Sequence, residues 1–302
     1  MKLSENEVTP EHLINQKRRR LTLSAGVVGL LGLGQGAGAA SLSQGDAALN
    51  AGDALTPLSD VTSYNNYYEF STDKRAVKVL AQALTIQPWT ISVEGEVEKP
   101  YTVDADELRR LFGNEERIYR LRCVEGWSMV IPWSGFPLSK LLERARPTSR
   151  AKFVEFESLQ RSSEMIGQRT GVLQWPFREG LRMDEAMHPL AFAVTGLYGQ
   201  ALPKQNGAPL RLALPWKYGF KSAKAIQKIR LVSAQPVTSW SRLAPTEYGF
   251  YGNVNPQVPH PRWSQARENR IGELHKRATL PFNGYADQVA DLYTGIDPKF
   301  LF

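Results

Sequence analysis

One cysteine, Cys123, stands in Arg120-Leu121-Arg122-Cys123-Val124-Glu125-Gly126-Trp127, two positions from a carboxylate. A thiol there can be a small buried hydrophobe, a nucleophile or a metal ligand. No histidine lies near it in sequence to act as a base, so ligation of a soft metal is the more economical chemistry, with a purely structural cysteine the alternative. A second constellation runs from Gln205-Asn206-Gly207-Ala208-Pro209-Leu210-Arg211 through Pro215-Trp216-Lys217-Tyr218-Gly219-Phe220-Lys221-Ser222-Ala223-Lys224. Here cations alternate with aromatic and small residues, and Gly207 and Gly219 let a ligand approach the backbone. Such a loop can hold a phosphate through N–H groups and basic side chains, or it can be an ordinary basic surface loop. Its spacing is neither a Walker loop nor a dinucleotide fingerprint.

Around these residues the pattern predicts short elements. Trp89–Val97 alternates with period two and reads as a strand, followed by a helix over Thr102–Phe112 with Asp104 as N-cap. Ile118–Val124 reads as a strand leading into Cys123, Phe136–Arg146 as a helix and Phe153–Phe156 as a strand. A helical turn is expected at Met183–Met187, and strands at Leu210–Leu214 and Ile229–Val232. Extension through Glu125 would place Tyr119, Leu121, Cys123 and Glu125 on one face, and Arg120, Arg122 and Val124 on the other. Short strands mixed with short helices, without regular βαβ alternation, indicate an α+β fold. Beyond Pro236 the chain is dense in Pro, Trp, Tyr and Asn, which suggests long ordered loops.

The first 40 residues read as an export leader: Lys17-Arg18-Arg19-Arg20, a weakly apolar, glycine-interrupted run to Ala39, and an Ala37-Gly38-Ala39 cleavage site. Arg18-Arg19-Arg20-Leu21-Thr22 resembles a twin-arginine signal, which carries folded proteins. Residues 41–62 read as a flexible arm and residues 63–302 as one domain. A lone thiol in an oxidising compartment has no internal disulfide partner, which strengthens the case for a kept reactivity. The net charge of +7 falls to about +5 without the leader's five basic and three acidic residues. Dispersed basic residues and the lack of a nucleic-acid module argue against nucleic-acid binding. His12, His188, His260 and His275 show no zinc-ligand spacing and read as surface or hydrogen-bonded structural residues.

Taken together, Arg122–Trp127, Asn206–Arg211 and Pro215–Lys221 resemble the sulfite-oxidase-type molybdopterin oxidoreductases. Asn65-Asn66-Tyr67-Tyr68-Glu69-Phe70 and the leader are similar to the branch that repairs methionine sulfoxide in periplasmic proteins. The resemblance implies one molybdenum-molybdopterin per chain, with Cys123 as the metal ligand. It implies cofactor contacts from Asn65, Tyr68, Glu69, Ser158, Asn206, Arg211, Ser222, Ala223 and Lys224, and places Asn66 and Glu125 near the metal. Ser158 departs from the family's threonine but keeps a hydroxyl. Glu125 is either a proton relay or the partner of a nearby arginine. The reaction implied is oxygen-atom transfer from methionine sulfoxide, in a periplasmic enzyme exported already folded. No iron–sulfur or haem motif is present, so a haem-containing membrane subunit is the implied electron donor, the mature chain itself not spanning the membrane. Trp240, Tyr248, Phe250, Tyr251 and Trp263 could form the donor interface or simply pack. Another exported molybdopterin enzyme (a sulfite dehydrogenase or another S- or N-oxide reductase) and a non-catalytic anion-binding protein are the alternatives.

Overall fold

The computed structural model describes Ser43–Gln44 and residues 51–301; the leader expected over residues 1–40 lies outside the described residues. Two sheets carry the chain. The larger has eight strands: β1 (Ser43–Gln44), β4 (Glu115–Arg122), β5 (Trp127–Pro137), β8 (Phe192–Leu197), β9 (Gln200–Ala201), β10 (Arg211–Ala213), β12 (Arg267–Arg270) and β13 (Arg277–Ala278). The smaller has the order β3 (Tyr101–Asp104), β2 (Thr90–Gly95), β11 (Ile226–Val232), β6 (Phe153–Ser158), β7 (Arg178–Arg182). Its neighbours are antiparallel except β11 and β2. Helices are short, the longest being Leu138–Arg144 among the described residues. None of the described helices is long and apolar enough to cross a membrane. The α+β expectation holds, with mixed sheets and long loops beyond Pro236.

The elements follow from local chemistry. β5 is buried along almost its whole length because it sits between β4 and β8. Pro132, within β5, turns its carbonyl to Tyr198 N–H at 2.9 Å, away from β4, so its missing N–H costs the β4 ladder nothing; Ile118 opposite it faces the strap, where Ala51 N–H bonds its carbonyl at 2.7 Å. Thr102 and Val103, β-branched, pair with Ser92 and Ile91, so the first third of the expected Thr102–Phe112 helix is strand. A tight helical turn, Ala105–Glu107, and the helix Leu108–Phe112 follow, and Asp104 makes no side-chain cap.

The expectation of a flexible arm over residues 41–62 needs correction in its described part. Ser43 and Gln44 pair with Glu115 and Glu116. Thr56 is buried; its N–H bonds Val130 O and its hydroxyl accepts from Val130 N–H, both at 3.0 Å. Asp53 sits among Arg120, Arg270 and Arg277 at 2.6, 3.4 and 3.5 Å. The segment then forms the helix Leu58–Val61. Small polar residues read as disorder in sequence, yet here they supply the hydrogen bonds and charge that fasten a strap to the sheet.

Candidate active site

Cys123 and Glu125 lie in the turn joining β4 to β5. Cys123 N–H bonds Trp127 O at 2.9 Å, Gly126 N–H bonds Cys123 O at 3.1 Å, and Gly126 takes φ +86°, a left-handed conformation that glycine enters at little cost. The thiol and the carboxylate are neighbours because the chain turns. Strand alternation, the reason expected from sequence, ends at Arg122. Glu125 N–H points at Sγ (3.4 Å), and Glu125 Oε2 lies 3.9 Å from it. Arg122 is fully buried behind the turn, with Nε on Glu268 Oε2 at 2.8 Å and Nη2 on Gln265 Oε1 at 2.8 Å. Its charge is thus spent on fixing the turn.

A loop from the strap side completes the cluster. Asn65 N–H bonds Lys74 O at 3.0 Å, closing residues 65–74 on themselves, so that Asn66 and Lys74 arrive together at the turn. Asn66 Nδ2 lies 3.2 Å from both Cys123 Sγ and Glu125 Oε2. Lys74 Nζ lies 2.9 Å from Glu125 Oε2, and Trp127 Nε1 donates to the same oxygen at 3.2 Å. Glu125 therefore pairs with a lysine, where sequence had suggested an arginine. Burial works against the Lys74 ammonium, but Glu125 outweighs it and its pKa is raised. Burial first, then the charge of Glu125, pushes the Cys123 thiol up to about 12. As a free group it is therefore a protonated, poor nucleophile at neutral pH, as a buried structural thiol also is; a metal ion bound there would displace the proton.

The other expected contacts gather into a second cluster of polar and charged side chains. Asn65 and Asn206 both donate through Nδ2 to Val61 O, at 2.9 and 3.0 Å, leaving each Oδ1 buried without a partner. Asn66 Oδ1, Tyr67 OH and Ser222 Oγ are likewise buried and unpartnered. Arg211 is 5% exposed; it reaches Asn206 O and its own neighbour's carbonyl, lies 4.9 Å from the Trp133 ring, and has no carboxylate partner among the described residues. Burial lowers its pKa to about 10. Lys224 is half-buried, 5.0 Å over the Tyr67 ring, with a pKa lowered to about 8 by burial and then by Arg211. Glu69 is buried, its pKa raised by burial although Lys224 opposes the rise. Gly207 is required here: at φ +103°, a Cβ would come within 2.8 Å of Lys224 Cγ.

Ser158 Oγ donates a hydrogen bond to Lys224 O at 2.7 Å, so it positions that backbone. Ala223 is buried and its carbonyl accepts from Leu212 N–H, tying the turn to β10. Tyr68 meets Trp240 edge-on at 5.4 Å. Lys217 and Lys221, counted in sequence with the possible anion site, are spent internally. Lys217 is fully buried on Glu185, Tyr251 O and Asn253, and Lys221 on Glu179, Gly180 O and Phe250 O. That leaves Arg211 and Lys224 against Glu69. The surplus cation and the unpartnered Asn65, Asn66, Asn206 and Ser222 atoms fit an anionic, hydrogen-bond-rich cofactor beside a soft thiolate ligand. Sequence reasoning missed Lys74, Tyr67 and the Val61 carbonyl. Only the closure of the 65–74 loop reveals Lys74, and a backbone acceptor leaves no mark in residue type.

Comparison with known proteins bears on these residues. The Oxidoreductase molybdopterin binding domain family matches residues 78–240. The chain is 52% identical to the protein-methionine-sulfoxide reductase catalytic subunit MsrP of Ralstonia nicotianae, over 98% of this chain and 95% of that protein. The chain belongs to the MsrP family. It is also 51% identical to the MsrP of Xanthomonas axonopodis pv. citri, over 100% of this chain and 98% of that one. Among solved structures, the sulfane dehydrogenase SoxCD from Paracoccus pantotrophus shows a partial likeness: 20% identity, 52% of this chain, 40% of that chain and a TM-score of 0.42. The region matched by the molybdopterin family contains Cys123, Glu125, Ser158, Asn206, Arg211 and Ser222–Lys224, while Asn65, Asn66, Tyr68 and Glu69 precede it.

Proposed function

We propose that this chain reduces methionine sulfoxide residues of oxidised proteins in the periplasm, as a molybdenum enzyme fed with electrons by a separate haem-containing membrane subunit. The observation that carries the reading is the cluster of Cys123, Asn66, Glu125 and Lys74 beside a group of buried polar side chains with a surplus cation, in a member of the MsrP family. The absence of any second cysteine for an iron–sulfur cluster supports an external donor, and the leader supports export.

Cys123 would hold the metal, and Asn65, Tyr68, Glu69, Asn206, Arg211 and Ser222–Lys224 would hold the pterin and its phosphate. When bound, molybdenum-molybdopterin supplies oxygen-atom transfer and a store for two electrons. The net reaction takes two electrons and two protons per sulfoxide and yields a thioether and water. Asn66 presents an amide to the thiol's neighbourhood and fixes Glu125, whose Oε2 takes donors from Lys74, Asn66 and Trp127. A carboxylate so held is oriented for moving protons to the departing oxygen, with Lys74 balancing its charge. Ser158, the Val61 carbonyl and the two buried lysines keep the group of polar side chains in shape.

The test is the molybdenum-to-protein ratio of the exported protein, combined with turnover of methionine sulfoxide. A ratio near one with turnover is expected; Cys123→Ser should abolish turnover, and Glu125→Gln should slow it with metal content unchanged. A ratio near zero in cells that make other molybdenum enzymes would remove the reading. Sulfite oxidation in place of sulfoxide reduction would leave the cofactor and replace the substrate.

A further inference from the structure

The rings near the Cys123 turn connect through one another. Tyr68, two residues past Asn66, meets Trp240 at 5.4 Å; Trp240 meets Tyr248 at 4.8 Å; Tyr248 meets His260 at 5.7 Å; and His260 stacks on Trp263 at 3.7 Å with the planes 7° apart. Trp263 Nε1 then donates to Val124 O at 2.8 Å, between Cys123 and Glu125. On the far side of the turn, Trp127 holds Glu125 and meets the edge of Tyr64 at 5.2 Å, and Tyr64 leads in the chain directly to Asn65 and Asn66. With the chain segments Tyr64–Tyr68 and Val124–Trp127 the contacts close into a ring that passes through Asn66 and Glu125, Cys123 lying next to Val124. Tyr64, Tyr68, Trp240 and Trp263 are all half-buried, so the ring opens to solvent while Trp127 and Tyr248 are covered.

We propose that this aromatic collar is the subsite for the methionine sulfoxide side chain, with Trp240 and Trp263 as its specificity-determining residues; the inference rests on the functional reading above. A methionine sulfoxide side chain is apolar along its methylenes and terminal methyl, and carries one polar S–O group. Aromatic faces and edges suit the carbon and sulfur, each contact worth roughly 0.3–1.5 kcal/mol for a thioether. The polar end of the site, where the Lys74 ammonium is paired with Glu125 beside Asn66, presents positive charge to the oxygen. A hydrated oxyanion such as sulfite would give up more hydrogen bonds than the few indole, phenol and imidazole groups return, while the ring carbons gain nothing from it, so the collar favours a side chain over a small anion. The collar is assembled largely from residues beyond Pro236, which explains chemically why loops rich in Trp and Tyr lie against the turn.

The measurement is titration calorimetry of N-acetyl-methionine sulfoxide amide into the oxidised holoenzyme, which does not turn over without electrons. Trp240→Leu and Trp263→Leu should each raise the dissociation constant about 2- to 10-fold, the range of one sulfur–aromatic contact. Molybdenum content should stay at the wild-type level in both, the thermal midpoint falling in Trp263→Leu with the loss of its bond to Val124 O, and Trp240→Phe should restore most of the affinity. Affinity unchanged in both Leu variants at full metal content overturns the proposal, as does a loss that tracks metal content and is not restored by Phe. A wild-type holoenzyme that neither binds nor reduces the sulfoxide would sink the functional reading itself, and that outcome appears before any variant is made.

Discussion

Replacing Lys217 by methionine tests whether the buried polar network, and not apolar packing alone, holds the candidate cofactor site together. Lys217 and Glu185 have side chains with no exposure, and the lysine also serves Tyr251 O and Asn253 Oδ1, each at 2.8 Å. Methionine fills a similar volume, so the cavity term is small and the electrostatic one dominates. Breaking a buried pair by removing one partner destabilises by about 3–5 kcal/mol, because the other charge is left without compensation. Glu185 keeps the Tyr293 hydroxyl at 2.6 Å and Arg182 N–H at 2.9 Å, which places the effect toward the lower end. Two acceptors that lose their donor restore about 1 kcal/mol each to the penalty. The expected loss is about 4–5 kcal/mol, a large part of the total for any domain. Guanidinium unfolding followed by tryptophan fluorescence reads it, Trp216 being a local reporter through its 2.8 Å hydrogen bond to Tyr293 OH. Adding Glu185→Gln should recover about 2 kcal/mol by removing the orphaned charge. Lys217 lies in the chain between Arg211 and the Ser222–Lys224 turn, so molybdenum retention should fall with stability. A loss under about 1 kcal/mol, or a double variant no better than the single, would refute the reasoning, since it would mean that water reaches the carboxylate.

Four further outcomes follow from the geometry. The His260 pKa is lowered from 6.5 to about 4, burial being the main cause, so the unfolded chain binds the extra proton first; stability should fall as pH drops from about 6.5 toward 4, and His260→Phe, which keeps a ring on Trp263, should flatten that slope in pH-dependent unfolding. Lys224, with a pKa near 8, should bind an anion less well as pH rises through 8; loading of cofactor-free protein should show that step and Lys224→Gln should lack it. Thr56→Val leaves Val130 N–H without its side-chain acceptor and should cost about 1–3 kcal/mol in thermal unfolding, with Thr56→Ser near wild type. Gly207→Ala, at φ +103° and against Lys224, should reduce metal content more than it lowers the unfolding midpoint in guanidinium.

Different parts of this molecule were legible in sequence to different degrees, for physical reasons. Strands whose apolar residues alternate, such as β2, β6 and β11, announce themselves because one face must be buried. The helix expected over Thr102–Phe112 gave way to β3 because pairing with β2 outweighs a local capping pattern, and pairing is a long-range fact. Cys123 and Glu125 were found from residue type and rarity, yet their closeness comes from Gly126 turning the chain, a matter of one backbone angle. Lys217 and Lys221 show the limit most clearly. A cation count cannot separate a lysine aimed at a ligand from one buried on Glu185 or Glu179, because the partners lie far away in sequence. Arg211 and Lys224 differ from them in lacking, among the described residues, a carboxylate within hydrogen-bonding reach. A ligand site of this kind is therefore defined by unsatisfied groups, and these become visible only after the fold has satisfied all the others.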